Sequence, residues 1–513
     1  MAYIKEFQGY LIKDEEARKK LAKLYFNNVN DLKNNTNLIA GDVVKTLGYY
    51  DVFDGGSGLY VITDTCPDNT ADEIEYISLQ NNLFARLRIE NKTIKVKQMG
   101  VRENESIKSA IEYCNTKGLD LFLNGSKFIC EHVTPNISIY SNGCEVEFTE
   151  TYGFWYEGED ITIDGVVFNH NYVADSISVI IRANSKNVTI KNCKFKNPGF
   201  ECLGTGESIQ ENLLITECTF EDYGRFAIAL VGCDGVKVIN NTFFDGVENS
   251  AGCIDIEPYS AGQTCKNVVI ENNRFIHSKN GISFSGYSGC TYGNIKITSN
   301  LFETLEGIRY NGRYTDTNKM PSFNVNNNIM KCTSAILVTS YDTIETKCAK
   351  LFKLVDNDIV GSIQLNAVEV VVNSNRIECN TEIQLTFTRC CVDGNSMASV
   401  GKGFLINGRN LAIYGSMTNN VFLDKVNQII TLINDVDGSI LSVCNNLNYG
   451  AIGQPAHTRV VNTSNNSIAV ATNYESRGEV NLIAQNGDIL AFTSDPAYAF
   501  AIRSNNKWYP MTP

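Results

Sequence analysis

Five stretches of this 513-residue chain share one pattern: NVTIKNCKF (187–195), NLLITECTF (212–220), GVKVINNTF (235–243), NVVIENNRF (267–275) and NIKITSNLF (294–302). Each runs apolar-x-apolar-x-x-[Asn/Cys]-x-Phe. Weaker copies lie before and after, in ITIDGVVF (161–168), FNVNNNIM (323–330), FKLVDNDI (352–359), EVVVNSNRI (369–377), CCVDGNSM (390–397) and GSMTNNVF (415–422). Their closing apolar residues fall at 168, 195, 220, 243, 275, 302, 330, 359, 377, 397 and 422, on average about 25 residues apart. A unit that short cannot bury its own apolar face and must stack on the next. The period inside each unit is two, in β-branched runs split by Gly, Asn and Asp; neither an L-x-x-L-x-L frame nor a helical period is present. Stacked strands of this kind make a parallel β-helix, with Phe on Phe in its core.

Two residues before each closing position stands a polar column: Cys193, Cys218, Asn241, Asn273, Asn300, Asn328, Asn357, Asn375, Asn395 and Asn420. Asn at a bend can pair side-chain amides up a stack and tolerates left-handed φ. The column is therefore expected to be structural, with the two Cys filling the same small slot.

The chain is 43% hydrophobic, 20% charged and carries a net charge of −13. Such a surface repels nucleic acid and anionic membranes. No apolar run reaches the ~18 residues of a membrane span, and MAYIKEFQGYLIKDEE lacks a signal-peptide core, so synthesis in a cytosol is expected. The 17 Cys include no C-x-x-C pair and the four His do not cluster, so zinc spacing is absent and most Cys are expected to be buried hydrophobes. Ile107, Ala110, Ile111 and Cys114 fall at helical spacing after Asn104, a candidate N-cap; a helix there would cap the first coil.

Chemistry is sought in the strand that follows each Phe turn. CIDIEPYS (253–260) aligns with GISFSGYS (281–288), GIRYNG (307–312), AIALVG (227–232) and CLGTG (202–206). Ile254 then lies over Ile282, and Ile256 over Phe284, facing the core. Asp255 and Glu257 face outward over Ser283 and Ser285, and then over Arg309 and Asn311. Ala229, Val231 and Gly204 occupy the same columns below. Two acids thus stand on a face of small residues, with Arg309 roughly 10 Å along the groove. Small neighbours leave room for a sugar chain, whose hydroxyls or carboxylates an Arg can bind. Tyr259 over Tyr287 can form a stacking platform. Carboxyl separations of roughly 5 to 9 Å are open to residues i and i+2, which spans retaining and inverting glycosidases. Two acids this close push their pKa values apart, one keeping its proton as an acid and one ionised as base or nucleophile. Among the turn acids Glu201, Glu207, Asp222, Asp234 and Glu306, we rank Asp222 and Glu306 first, because each begins a turn leading into the groove strand. Against this stands an ordinary ion pair of the acids with Arg309 or Arg225. Arg182 maps to the Glu257 column three coils earlier, as groove or as solvated charge.

The coils resemble the right-handed parallel β-helix of the pectate-lyase-like superfamily. GDVVKTLGYYDVFDGGSGLYVITD (41–64) is similar to the head domain of phage tailspikes and pre-neck appendages, and IKVKQMGVRENESIKSAIEYC (94–114) resembles their lead-in to the capping helix, without its usual Gly-Asp-rich turn. The resemblance implies an all-β fold in five parts: an N-terminal helix for virion attachment (1–40), with Ala17, Leu21, Leu24 and Tyr25 as its apolar stripe from Asp14; a head (41–97); a neck and capping helix (98–125); the β-helix (126–450); and a small C-terminal β domain (451–513) holding VNLIAQNGDILAF and KWYP. It also implies a homotrimer in the virion, joined to phage tail or neck proteins through its N-terminal region and binding or cutting a host surface polysaccharide. Catalysis would fall to Asp255 and Glu257, completed by Asp222 or Glu306; Arg309, Tyr259, Tyr287, Ser283, Ser285 and Asn311 would bind substrate. No cofactor or metal is expected; Ca²⁺ enters only under the alternative of a polysaccharide lyase, and a non-catalytic adhesin is the other alternative.

Overall fold

The computed structural model describes residues 24–422 apart from 68–69, 183–184, 207–208, 245, 247–249, 288, 313–317, 341–347, 380, 400–402 and 408–412, and beyond 422 the strands and little else. Its body is a parallel β-helix. One coil consists of the strand Thr189–Lys191, a bend, the strand Lys194–Lys196, a turn, and the strand Gly199–Thr205, with a short outer strand at Gln210–Glu211. Each strand pairs in parallel with its counterpart one coil on. The closing column runs Phe168, Phe195, Phe220, Phe243, Phe275, Phe302, Met330, Ile359, Ile377, Met397, Phe422 in unbroken register, as the repeat predicts. The rings from Phe168 to Phe302 stack at centroid spacings of 4.7–5.0 Å, the rung spacing itself. Every one of them is fully buried.

The polar column is a ladder. From Asn241 to Asn395, each backbone N–H and each side-chain Nδ2 donates to Oδ1 of the Asn one coil on, at 2.8–3.1 Å. Nδ2 also donates to carbonyls of the two preceding strand ends, as from Asn328 to Ile297 and Asn326. Cys218 donates its N–H to Asn241 and so forms the ladder's foot. One detail differs from expectation. The left-handed residue is the one before the ladder position, as at Asn240 (φ 60°), Asn272 (54°) and Asn327 (56°). The bend is made there, which turns the next side chain inward.

The helix α2 (Lys108–Lys117) closes the first coil with Ile107, Ala110, Ile111 and Cys114 buried. Its N-terminus differs from expectation: Ile107 is the N-cap residue, without a side-chain cap, while Asn104 sits three residues earlier in a left-handed turn. Ahead of it lies a five-stranded sheet of β1 (Tyr25–Phe26), β2 (Val43–Thr46), β3 (Leu59–Thr63), β4 (Tyr76–Ser78) and β5 (Phe84–Leu87), in the order β1-β2-β3-β5-β4. Tyr25–Phe26 pairs in parallel with β2, and α1 (Val29–Lys33) buries Val29 and Leu32, so this unit begins well before residue 41. Tyr25 is thus a strand residue; Asp14, Ala17 and Leu21 lie outside the described residues. The head is fastened to α2 through Tyr113, whose hydroxyl donates to Asp72, and Lys117, 2.9 Å from the same carboxylate.

At the far end the parallel pairing continues past 450, through Ala451–Ile452 and Arg459–Asn462. A separate sheet then takes in Ala469–Ala471, Ile489–Phe492, Phe500–Ser504 and Lys507–Met511. Residues 480–488 of the VNLIAQNGDILAF run lie outside the described residues. Of the 16 Cys whose side chains are described, all are free and only Cys391 is not buried.

Candidate active site

The strands that follow the Phe turns are Gly199–Thr205, Phe226–Leu230, Gly252–Ile256, Asn280–Gly286 and Glu306–Gly312. Their register places Gly204, Ala229, Asp255, Ser283 and Arg309 in one outward column, as the alignment predicts. Ile228, Ile254, Ile282 and Ile308 stack inward beside it and are fully buried. This alternation fixes the side chain of Asp255 on the outer face. Glu257 follows directly after the strand, its N–H bonded to the Leu230 carbonyl.

The two acids line a pocket of about 340 Å³ together with a third, Glu201. Asp255 is 4% exposed and Glu201 5%, unusual depths for carboxyls on an outer face. Arg225, from the turn before the Phe226–Leu230 strand, reaches all three. Its guanidinium nitrogens lie 3.1 Å from Glu201 Oε1, 3.4 Å from Glu257 Oε2 and 3.9 Å from Asp255 Oδ2. The rings of Phe200 and Phe226 hold that guanidinium at 4.9 and 5.2 Å. Tyr287, one coil on, donates its hydroxyl to Glu257 Oε1 at 3.0 Å.

Three carboxyls around one cation leave an excess of negative charge in a poorly hydrated place. Burial, then the charge and hydrogen bond of Glu257, push Asp255 well above the usual carboxylate range, against the pull of Arg225. Burial likewise raises Glu201 to about 7, although Arg225 opposes it. Such a carboxyl keeps its proton in the folded state where the unfolded chain has lost it. Stability therefore falls as pH rises from the ordinary Glu range, about 4.3, through about 7. Glu201→Gln is expected to flatten that fall and to raise the thermal midpoint above pH 7. An unchanged slope in melts across that range would show that Glu201 is not the group holding the proton.

The other sequence candidates are spread more widely. Tyr259 lines the pocket, 46% exposed, and Ser283 sits directly above Asp255 in the column. Ser285 and Asn311 pair on the next rungs, where Asn311 Oδ1 accepts from the Thr339 hydroxyl. Arg309 lies two rungs from Asp255 and engages Glu306 at 3.4 Å, so Glu306 belongs to that pair and does not line the acid pocket. Asp222 occupies a left-handed turn (φ 53°), with its charge felt at Tyr172, and it too stands outside the pocket. Arg182 engages Glu157 at 2.5 Å. Glu207 lies outside the described residues. The acid ranked below Asp222 and Glu306, Glu201, is the one that joins the pair. Cys202 and Leu203 are both fully buried, as are Ala227 and Ile228 and then Cys253 and Ile254 on the next coils, and the Glu201 carboxyl comes out beside Gly204, where a Cβ would stand 3.4 Å from its Oε2.

The fold defines the class: a right-handed parallel β-helix. The family model described as "Right handed beta helix region" matches residues 152–320. No curated protein matches the chain. Among solved structures it is similar to the tailspike protein gp49 from Acinetobacter baumannii bacteriophage Fri1, a capsular polysaccharide depolymerase, at 13% identity over 85% of this chain and 77% of that one, with a TM-score of 0.45. It is also similar to a hyperthermoactive exopolygalacturonase from Thermotoga maritima, at 12% identity over 70% and 93%, TM-score 0.46. A third is the pre-mature gene product 12 of bacteriophage phi29, at 12% identity over 82% of this chain and 58% of that one, TM-score 0.48. These likenesses are distant, and the chemistry of the acid pocket is read from its own residues.

Proposed function

We propose that this protein is a phage tail appendage that binds a bacterial surface polysaccharide and cuts it by carboxylate-based glycoside hydrolysis. The observation that carries the reading is the trio of buried Glu201 and Asp255 and half-buried Glu257, gathered by Arg225 on a groove floor of Gly, Ala and Ser. Asp255 holds its proton and serves as the acid, delivering it to the glycosidic oxygen. Glu257 is oriented by Tyr287 and Arg225 and stands within hydrogen-bonding reach of Asp255, closer than the roughly 5 to 9 Å expected from the strand spacing. The glycan must therefore part the two carboxyls before Glu257 serves as base toward water or as nucleophile toward the anomeric carbon. Glu201 holds Arg225 in place and tunes the pair. Tyr259 and Tyr287 flank the mouth for sugar rings.

A binding-only spike is the second reading, and one observation favours it. Arg225 already engages every acid of the pocket, as in a closed ion cluster. Incubation with a panel of capsular polysaccharides separates the readings. Shorter chains with new reducing ends and no new ultraviolet absorbance support the hydrolase. Unsaturated ends would make it a lyase. Unaltered chains that remain bound would make it an adhesin. The resemblance of residues 41–64 and 94–114 to tailspike heads also supports a homotrimer in the virion, attached through its N-terminal region. A monomer mass in light scattering would overturn that.

A further inference from the structure

The column that holds Asp255 extends well beyond the acid pocket. Followed toward the N-terminal coils it runs through Ala229, Gly204 and Ile180 to Trp155. Four rungs separate Trp155 from Asp255, roughly 19 Å along the axis, room for several pyranose rings in line. Nothing larger than isoleucine stands in the column between them. Phe154 and Tyr156 on either side of Trp155 are fully buried, so the indole faces outward. It does not stand alone. Tyr152, 41% exposed, meets it edge-on at 5.1 Å, and Arg182 lies over its ring at 5.2 Å while engaging Glu157. The indole Nε1 is itself buried and without a hydrogen-bond partner, and His132 meets the ring edge-on at 4.7 Å, so what the indole offers is ring surface and not a donor.

Aromatic rings beside a guanidinium and a carboxylate offer what a sugar needs: an apolar face for its C–H groups and polar groups for its hydroxyls. We propose that Tyr152, Trp155 and Arg182 form a distal subsite for the same glycan that the acid pocket takes. This deepens the reading above and rests on it. It makes the substrate an extended polysaccharide lying along the coil axis and bound at two places, so that cleavage falls inside the chain.

The chain has two tryptophans, Trp155 and Trp508, so Trp508→Phe leaves Trp155 as the only indole reporter. In that background, with Asp255→Asn to stop cleavage, the protein is titrated with fragments of the same panel of capsular polysaccharides, from trisaccharides to octasaccharides. The octasaccharide is expected to change the emission of Trp155 and to bind about tenfold more tightly than the trisaccharide. In an otherwise native chain, Trp155→Ala is expected to raise KM for octasaccharides about tenfold with kcat unchanged, and Trp155→Phe to restore most of it. Cleavage of octasaccharides with no response of Trp155, or an equal KM in the variants, overturns the subsite and leaves the acid pocket standing. A response of Trp155 without cleavage by the native protein overturns the hydrolase and leaves the subsite to a binding spike. Failure of every fragment to bind overturns both.

Discussion

Asp255→Asn and Glu257→Gln are each expected to lower the rate of polysaccharide shortening by about 10³-fold, and the double variant by little more. The reason is that the two groups act on one bond. Without the proton on Asp255 the leaving oxygen departs as an alkoxide, and without the carboxylate of Glu257 neither water nor the anomeric carbon is activated. Neither change should unfold the protein. Asn has the shape of a protonated Asp, and Asp255 already stands where charge is disfavoured. Melting points at or above that of the native chain, with polysaccharide binding retained, are the expected controls. A variant that is inactive because it has lost its melt says nothing for the acids. One that keeps full activity with a normal melt moves the chemistry elsewhere in the groove.

The second large effect is expected in the ladder. Asn328 accepts two hydrogen bonds from Asn300, donates two to Asn357 and caps the carbonyls of Ile297 and Asn326. Asn328→Ala takes the Oδ1 acceptor from the Asn300 N–H and the amide donor from the Ile297 carbonyl in a site 1% exposed, while the Asn326 carbonyl keeps the N–H of Ser299. At roughly 1–3 kcal/mol for each of these two buried groups, the loss should reach about 2–6 kcal/mol. Asn327→Gly, one residue away on the exposed side at φ 56°, should cost almost nothing, since Gly accepts left-handed backbone freely. Guanidinium unfolding of the two side by side decides the matter. Equal midpoints would show that the Phe stack, not the amide ladder, sets the stability of the coils.

The fold was legible because a solenoid repeats its instructions. Phe, Asn and the β-branched pair each recur at one place in the coil, and eleven copies average out the local exceptions. The acid pair was legible for the same reason, since aligning one strand with its neighbours on either side assigned Asp255 its face. What the alignment ranked wrongly was the third acid. By sequence Glu201 falls among the turn acids ranked below Asp222 and Glu306, whereas it lies within the strand Gly199–Thr205 and lines the pocket with the pair. Arg225, expected only as an ion-pair partner, aligns with Phe200 of the preceding coil, and the rings of Phe200 and Phe226 beside its guanidinium come from different rungs. Arg309 was correctly placed in the column but is engaged with Glu306, a contact along its own strand that no comparison between coils brings out. The ends carry no repeat at all, and so the head boundary and the last coils were the parts located least well.

The amide ladder also has a foot. Below Asn241 its place is taken by Cys218 and Cys193, whose thiols donate to carbonyls but offer no amide to the coil beneath. The bonds between coils lie along the axis of the body, which is the direction in which a fibre fixed at one end and anchored to a surface at the other is pulled. Under such tension a spiral chain yields by peeling from an end, one coil at a time. A chain drawn from its N-terminus should release the coils up to residue 240 at lower force than those beyond, with the step falling at the change from sulfur to amide. Asp255 and Glu257 sit just past that step, whereas Glu201, Arg225 and the coils of Trp155 lie before it, so that tension would draw the glycan site apart at its own middle.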